Sequence, residues 1–156
     1  MLDTCFSDTP VAADVARGVT RLFCRQELFA ICEVPLPNGR RADLMGIDSK
    51  GNLTIVEIKV ARSDLLGDCK WTEYLDYCDH FYWAVPPELA SILDGEQFLP
   101  REAGLIVADR YDAALVRQAL HRPLAAARRK AELLRFARRA ARRLSEQLDP
   151  TLGAGS

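Results

Sequence analysis

Histidine is scarce in this chain. Only His80 and His121 occur, and neither has a partner at zinc-ligand spacing. Histidine-based metal binding or general-base catalysis is therefore not expected. The five cysteines, at positions 5, 24, 32, 69 and 78, are an odd number and include no Cys-X-X-Cys. That excludes a zinc ribbon or a disulfide framework and reads as reduced, mostly packed thiols. Long apolar runs are also missing. Nothing approaches the roughly 18 residues of a membrane span, so no membrane partner is expected. The opening Met1-Leu-Asp-Thr-Cys5 is neither basic nor followed by a long apolar segment, which argues against a secretory signal and for a cytoplasmic protein.

Acidic residues run out toward the C-terminus. Residues 1–120 hold 12 basic and 19 acidic groups, whereas residues 121–156 hold 9 basic and 3 acidic ones. A body of net charge −7 is thus followed by an end of net charge +6. The length of 156 residues suits one domain with a substantial core. The expected organisation is a disordered start over 1–8, an α/β domain over 9–122, a basic helix over 123–148 that packs on or extends it, and a flexible tail over 149–156.

The stretch that organises the rest is 52–60, Asn-Leu-Thr-Ile-Val-Glu-Ile-Lys-Val. It alternates as a strand does. Thr54, Val56, Ile58 and Val60 share one face; Leu53, Ile55, Glu57 and Lys59 share the other. Glu57 and Lys59 therefore sit side by side in an apolar run, where charges are costly unless they pair or bind something. Just before it, 41–47 places Asp43 inside a second apolar segment. A three-residue loop, Ser49-Lys50-Gly51, with glycine at the left-handed position, joins the two. That register pairs Ile47 with Leu53 and Asp43 with Glu57. Two carboxylates that close repel unless one is protonated or a cation lies between them. Oxygen donors of this kind suit Mg²⁺ or Mn²⁺. The alternative is a structural ion pair at a sheet end.

The loop Pro37-Asn38-Gly39 repeats the device. It sets a strand over Phe29–Pro35 against the Asp43 strand, with Glu33 opposite Asp43. Glu33 is then either a third acid of the cluster or an edge charge that guards against mispairing. Ahead of it, a helix is expected from a Thr9 cap and Pro10 to about Arg25, with Val11, Val15, Val19, Leu22 and Phe23 in its stripe. A helix over about 68–78 would put Lys70 and Tyr74 on one face. Apolar strands follow at 81–86 and 104–109, with an edge strand at about 114–118. Strand hairpins, then a helix, then further strands, imply a central mixed β-sheet flanked by helices.

Asp43, a hairpin and then Glu57-Ile58-Lys59 resemble the core of the PD-(D/E)XK nuclease superfamily. The wider text resembles the MmcB-like DNA repair proteins of bacteria. The similar segments are 33–43, 55–59, Lys70-Trp71 with 74–79, 81–86 and 104–109. The resemblance implies a restriction-endonuclease-like αβββαβ core and metal-dependent hydrolysis of DNA phosphodiester bonds in repair. It implies that Asp43, Glu57 and the backbone carbonyl of Ile58 hold Mg²⁺ or Mn²⁺, and that Lys59 orients water or stabilises developing charge. Glu33, Arg17, Lys70 and Tyr74 are accessory candidates. Many relatives take a further acid from the first helix. Here that helix offers Arg17 and Arg21, and its nearest acid is Asp14.

The last element, 124–148, is helical by composition. Ala127, Ala131, Leu134, Ala137, Ala141, Leu144 and Leu148 recur near helical period. Arg128, Arg129, Arg135, Arg138, Arg139, Arg142 and Arg143 surround them, with few acids for internal pairing. Arginine's planar fork suits phosphate, so these residues are expected to bind DNA. The protein is then a nucleoid-associated nuclease, with other repair proteins as further partners. The competing reading keeps the fold as an inactive DNA-binding or adaptor module, which the missing helix acid favours. A third uses the basic helix to bind a protein.

Overall fold

The computed structural model describes residues 10–154. The expected disordered residues 1–8, Cys5 and the Thr9 cap lie outside them. The chain divides into two compact units between Pro123 and Leu124.

The first unit begins with helix α1, Ala12–Arg25. Its start differs from expectation. Val11 is the residue before the first turn, and Asp14 accepts a hydrogen bond from the Val11 N–H at 3.2 Å. An acid in the first turn also suits the positive end of the helix dipole. A six-stranded sheet follows: β1 Phe29–Pro35, β2 Arg41–Ile47, β3 Leu53–Ile58, β4 His80–Val85, β5 Gly104–Ala108 and β6 Ala113–Arg117. The strands lie in sequence order. β1–β2, β2–β3 and β5–β6 pair antiparallel, and β3–β4 and β4–β5 pair parallel. The α/β class and mixed sheet expected from the sequence are what the chain adopts.

Both hairpins form as the glycines require. Gly39 and Gly51 have φ of 84° and 80°, a region open to glycine at no steric cost. The Gly51 loop sets Ile47 against Leu53 and Leu44 against Val56. β3 is buried on both faces, and β2 and β4 pair with its two edges. On one face Val15, Val19, Leu22 and Phe23 of α1 pack with Leu44, Val56, Tyr82 and Ile106.

The other face is covered mainly by 3₁₀ helices, which corrects one expectation. Instead of one α-helix over 68–78, a short α2, Arg62–Gly67, precedes a 3₁₀ helix over Trp71–Tyr77. The physical reason is the spacing of the aromatics. Residues three apart eclipse in a 3₁₀ helix, so Trp71, Tyr74 and Tyr77 are all buried on one side. Trp71 meets Phe81 and Trp83 at ring distances of 5.2 and 5.0 Å, and Tyr74 stacks on Phe81. The cysteine expectation also fails in part: Cys24, Cys32 and Cys69 are exposed, and Cys78 is buried, its thiol pushed up by burial. His80 and His121 stack at 4.8 Å, and burial, then His121, lowers the His80 pKa.

Gly104 shows how tightly the α1 face is filled. A Cβ there would lie 2.3 Å from the Tyr82 ring and 2.7 Å from the Ala119 nitrogen. Gly104→Ala is expected to cost about 1–3 kcal/mol through overpacking. Urea unfolding checks this, and a change under about 0.5 kcal/mol, the range of a neutral surface substitution, would show that the ring has room to move.

The second unit is helix α3, Ala126–Leu148, followed by a 3₁₀ turn over Pro150–Gly153, at whose start the Thr151 N–H and hydroxyl donate to the Asp149 carboxylate. Leu134, Leu144 and Leu148 of the expected apolar stripe are exposed at 59%, 58% and 79%. The helix's own acids take part in ion pairs, Glu132 with Arg135 and Glu146 with Arg142.

Candidate functional site

The β2–β3 ladder ends at Leu44 and Val56. One step further, side chains replace the backbone as acceptors. The Ile58 N–H donates to Asp43 Oδ2 at 2.8 Å, and the Asp43 N–H donates to Glu57 Oε1 at 3.3 Å. Each carboxylate is thus held by the backbone of the opposite strand, and the two are brought together as the Gly51 register requires. Glu57 is 5% exposed. Burial, then the Asp43 charge, pushes its pKa up to about 8. Burial raises Asp43 as well, against the Ile58 amide and the Lys59 charge. This is the electrostatic signature of a carboxylate pair that favours a proton or a cation.

Both acids line a cleft of about 590 Å³. Lys59 lies in it, one residue past β3, its N–H still bonded to the Ala84 carbonyl at 3.1 Å. Its ammonium pairs with Asp68 Oδ2 at 3.0 Å, and both side chains are largely shielded. Tyr74 is there too. Its hydroxyl donates to the Arg41 carbonyl at 3.1 Å, and burial and Glu57 raise its pKa. Lys70 is exposed and is not part of the cleft lining, because the 3₁₀ geometry removes the four-residue spacing that would set it above Tyr74.

Glu33 stands at the step opposite Asp43, between the paired Cys32–Leu44 and Val34–Ala42 steps. Its φ of 51° is rare for a non-glycine residue, so the ladder is interrupted there. Its side chain is 67% exposed and lies 3.9 Å from Arg41. Arg17 and Arg21 line a second depression, on the α1 side of Asp43. Asp14 is occupied at the helix start and by Arg17, so α1 brings no acid to the pair. Among the described residues, no group of three or more Asp, Glu, His or Cys is placed to hold a metal.

Sequence reasoning missed Asp68, which closes α2 nine residues after Lys59, and Ser63, Asp64, Arg40 and Arg41, which also line the cleft. Only the α2 crossover, which no local pattern specifies, brings Asp68 back to the lysine.

The family described as DNA repair protein MmcB-like matches residues 2–151. A solved structure of a protein of unknown function from Silicibacter pomeroyi is similar, with 43% identity, 88% of this chain and 90% of that chain covered, and a TM-score of 0.78. Among curated proteins, none matches this chain. No helix among the described residues is long and apolar enough to cross a membrane.

Proposed function

Because this chain belongs to the MmcB-like family of DNA repair proteins, we propose that its acidic cleft hydrolyses phosphodiester bonds of DNA with Mg²⁺ or Mn²⁺, in the manner of the PD-(D/E)XK nucleases. The observation that carries this reading is the pair of buried carboxylates from adjacent antiparallel strands, each held by the other strand's amide, with Lys59 in the same cleft.

The donor set fits a hard divalent ion. Asp43, Glu57 and the Ile58 carbonyl supply oxygen ligands only, and such ions take one or two carboxylates and keep several waters. When bound, the ion supplies Lewis acidity and a water of lowered pKa. The chain does the rest. Asp43 and Glu57 are fixed by backbone amides and need no reorganisation to present their oxygens. Asp68 fixes the Lys59 ammonium in the cleft wall, where it orients the attacking water or stabilises charge developing on the phosphate. Tyr74 holds the Arg41 carbonyl and keeps its proton, so it donates and never adds a third negative charge. Lys70, exposed and outside the cleft lining, has no part in the chemistry; Glu33 and Arg17 line the α1-side depression together with Asp43, and Arg17 contacts the substrate backbone there.

A second reading, an inactive DNA-binding or adaptor module, is favoured by the occupied Asp14, which leaves α1 without an acid for the pair. Incubation with Mn²⁺ and a panel of single-stranded, duplex, flap and gapped DNAs separates the two. Cleavage of at least one supports the enzyme. No cleavage, together with no thermal stabilisation by Mn²⁺, leaves the module.

The helix α3 supplies affinity in either case. Each neutralised phosphate contributes roughly −0.9 to the slope of log K against log salt on duplex DNA. Reversing Arg138, Arg139, Arg142 and Arg143 to Glu is expected to weaken binding and to flatten that slope by up to about 3–4. An unchanged slope would assign the helix to a different partner.

A further inference from the structure

The carboxylate pair stands where two depressions meet. Asp43 and Ile58 line both the polar cleft and a second cavity of about 690 Å³ on the α1 side. The wall of that cavity is built from two rows of α1, each spaced four residues apart. The first row, Ala12, Ala16 and Thr20, is short throughout. Thr20 spends its hydroxyl on the Ala16 carbonyl at 2.8 Å, so this row offers no free donor. The second row, Ala13, Arg17 and Arg21, ends in two guanidinium groups, that of Arg17 paired with Asp14 and that of Arg21 donating to the Tyr111 carbonyl at 3.4 Å. The cavity is therefore apolar along one side and cationic along the other, and it opens beside the acids.

A nucleotide has the same division, an apolar planar base on an anionic backbone. The volume falls in the range of sites that enclose one small ligand, too small for a base pair with both its backbones. We propose that this cavity receives an unpaired base of the strand whose phosphate lies at Asp43, and that the substrate is single-stranded or locally opened DNA. The inference rests on the nuclease reading of the adjacent pair. Small side chains admit the base to the first row. The guanidinium planes of Arg17 and Arg21 take its face or the neighbouring phosphate, as arginine does on single strands. The lining residues include no aromatic ring, so any base is accepted and sequence preference is weak. A paired base enters only after unstacking, which is least costly at a mismatch, a lesion or an existing single strand.

Ala16→Leu fills the first row with a residue nearly as good a helix former as alanine, so it tests the cavity without unfolding α1; a thermal midpoint near wild type confirms that. Affinity of the full chain is measured in Ca²⁺ for a single-stranded oligonucleotide and for the flush duplex of the same sequence, and cleavage of both is measured in Mn²⁺. Ala16→Leu is expected to weaken single-strand binding by about tenfold or more and to leave duplex binding unchanged. The wild type is expected to cut the single strand at least about tenfold faster than the flush duplex. Equal single-strand affinity in wild type and Ala16→Leu, or equal cleavage of the two DNAs, overturns the inference and leaves the nuclease standing. A wild type that cuts neither DNA, yet loses single-strand binding on Ala16→Leu, keeps the base cavity and removes the nuclease.

Discussion

Asp43→Asn is expected to reduce DNA cleavage by about 10³-fold or more while DNA affinity stays within about twofold. A bound divalent ion supplies several kcal/mol of transition-state stabilisation, and each 1.36 kcal/mol is tenfold in rate. Asn keeps the size of Asp and an oxygen for the Ile58 amide, which donates to Asp43 Oδ2 at 2.8 Å. It loses the negative charge that a hard cation requires. The same change relieves repulsion on Glu57, so the protein without metal is expected to gain about 1–2 kcal/mol of stability near neutral pH, as one pKa unit of released shift is worth 1.36 kcal/mol. The sign separates two roles. A structural partner of a buried cation would, on removal, cost about 3–5 kcal/mol. Lys59 already has Asp68 as its partner, so Asp43 is free to serve another cation. Cleavage rates and urea unfolding of the variant check both halves. A destabilised variant with unchanged cleavage would return Asp43 to a structural role.

The second large effect is on stability against pH. Glu57 ionises near its usual value of 4.5 in the unfolded chain and at about 8 in the folded one. Below the lower value both states hold the proton and there is no penalty. Between the two, the folded state binds more protons, so stability falls as pH rises, by up to about 1.36 kcal/mol per pH unit. The loss approaches 4 kcal/mol, as an order-of-magnitude figure, by the time Glu57 ionises in the fold. Asp43, also raised, adds in the same direction. His80, lowered by burial, works the other way around neutral pH, so the comparison is with Glu57→Gln. The difference between wild type and that variant is expected to widen from about pH 5 to about pH 8. Saturating Mn²⁺ is expected to erase it in the wild type, because a ligand that binds only the folded state stabilises by mass action. A difference independent of pH would mean that Glu57 is not held protonated by its surroundings.

What was legible in the sequence follows from how far each signal reaches. Gly39 and Gly51, each last in a three-residue loop, carry the register of two hairpins, and period-two alternation carries the faces. Together these bring Asp43 to Glu57. The strands after it were readable as short apolar runs bounded by Pro86, Gly104 and Asp109. Asp68 was not readable, because its place beside Lys59 depends on a crossover between parallel strands. The 3₁₀ helix was hidden by Lys70 and Tyr74, whose four-residue spacing suggests an α-helix; the eclipsed set of Trp71, Tyr74 and Tyr77 was the available signal. Nothing in Ile31-Cys-Glu-Val-Pro35 announces the positive φ at Glu33. The base-sized cavity needs α1, β1 and the ends of β2 and β3 at once, so no single stretch encodes it.

The most direct test of the central claim is calorimetric titration of Mn²⁺ into the metal-free protein at about pH 8, where Glu57 gives up its proton. The account predicts saturable binding that releases protons in the wild type and is lost in Asp43→Asn. Absence of saturable binding in the wild type, or equal binding in Asp43→Asn, would contradict it.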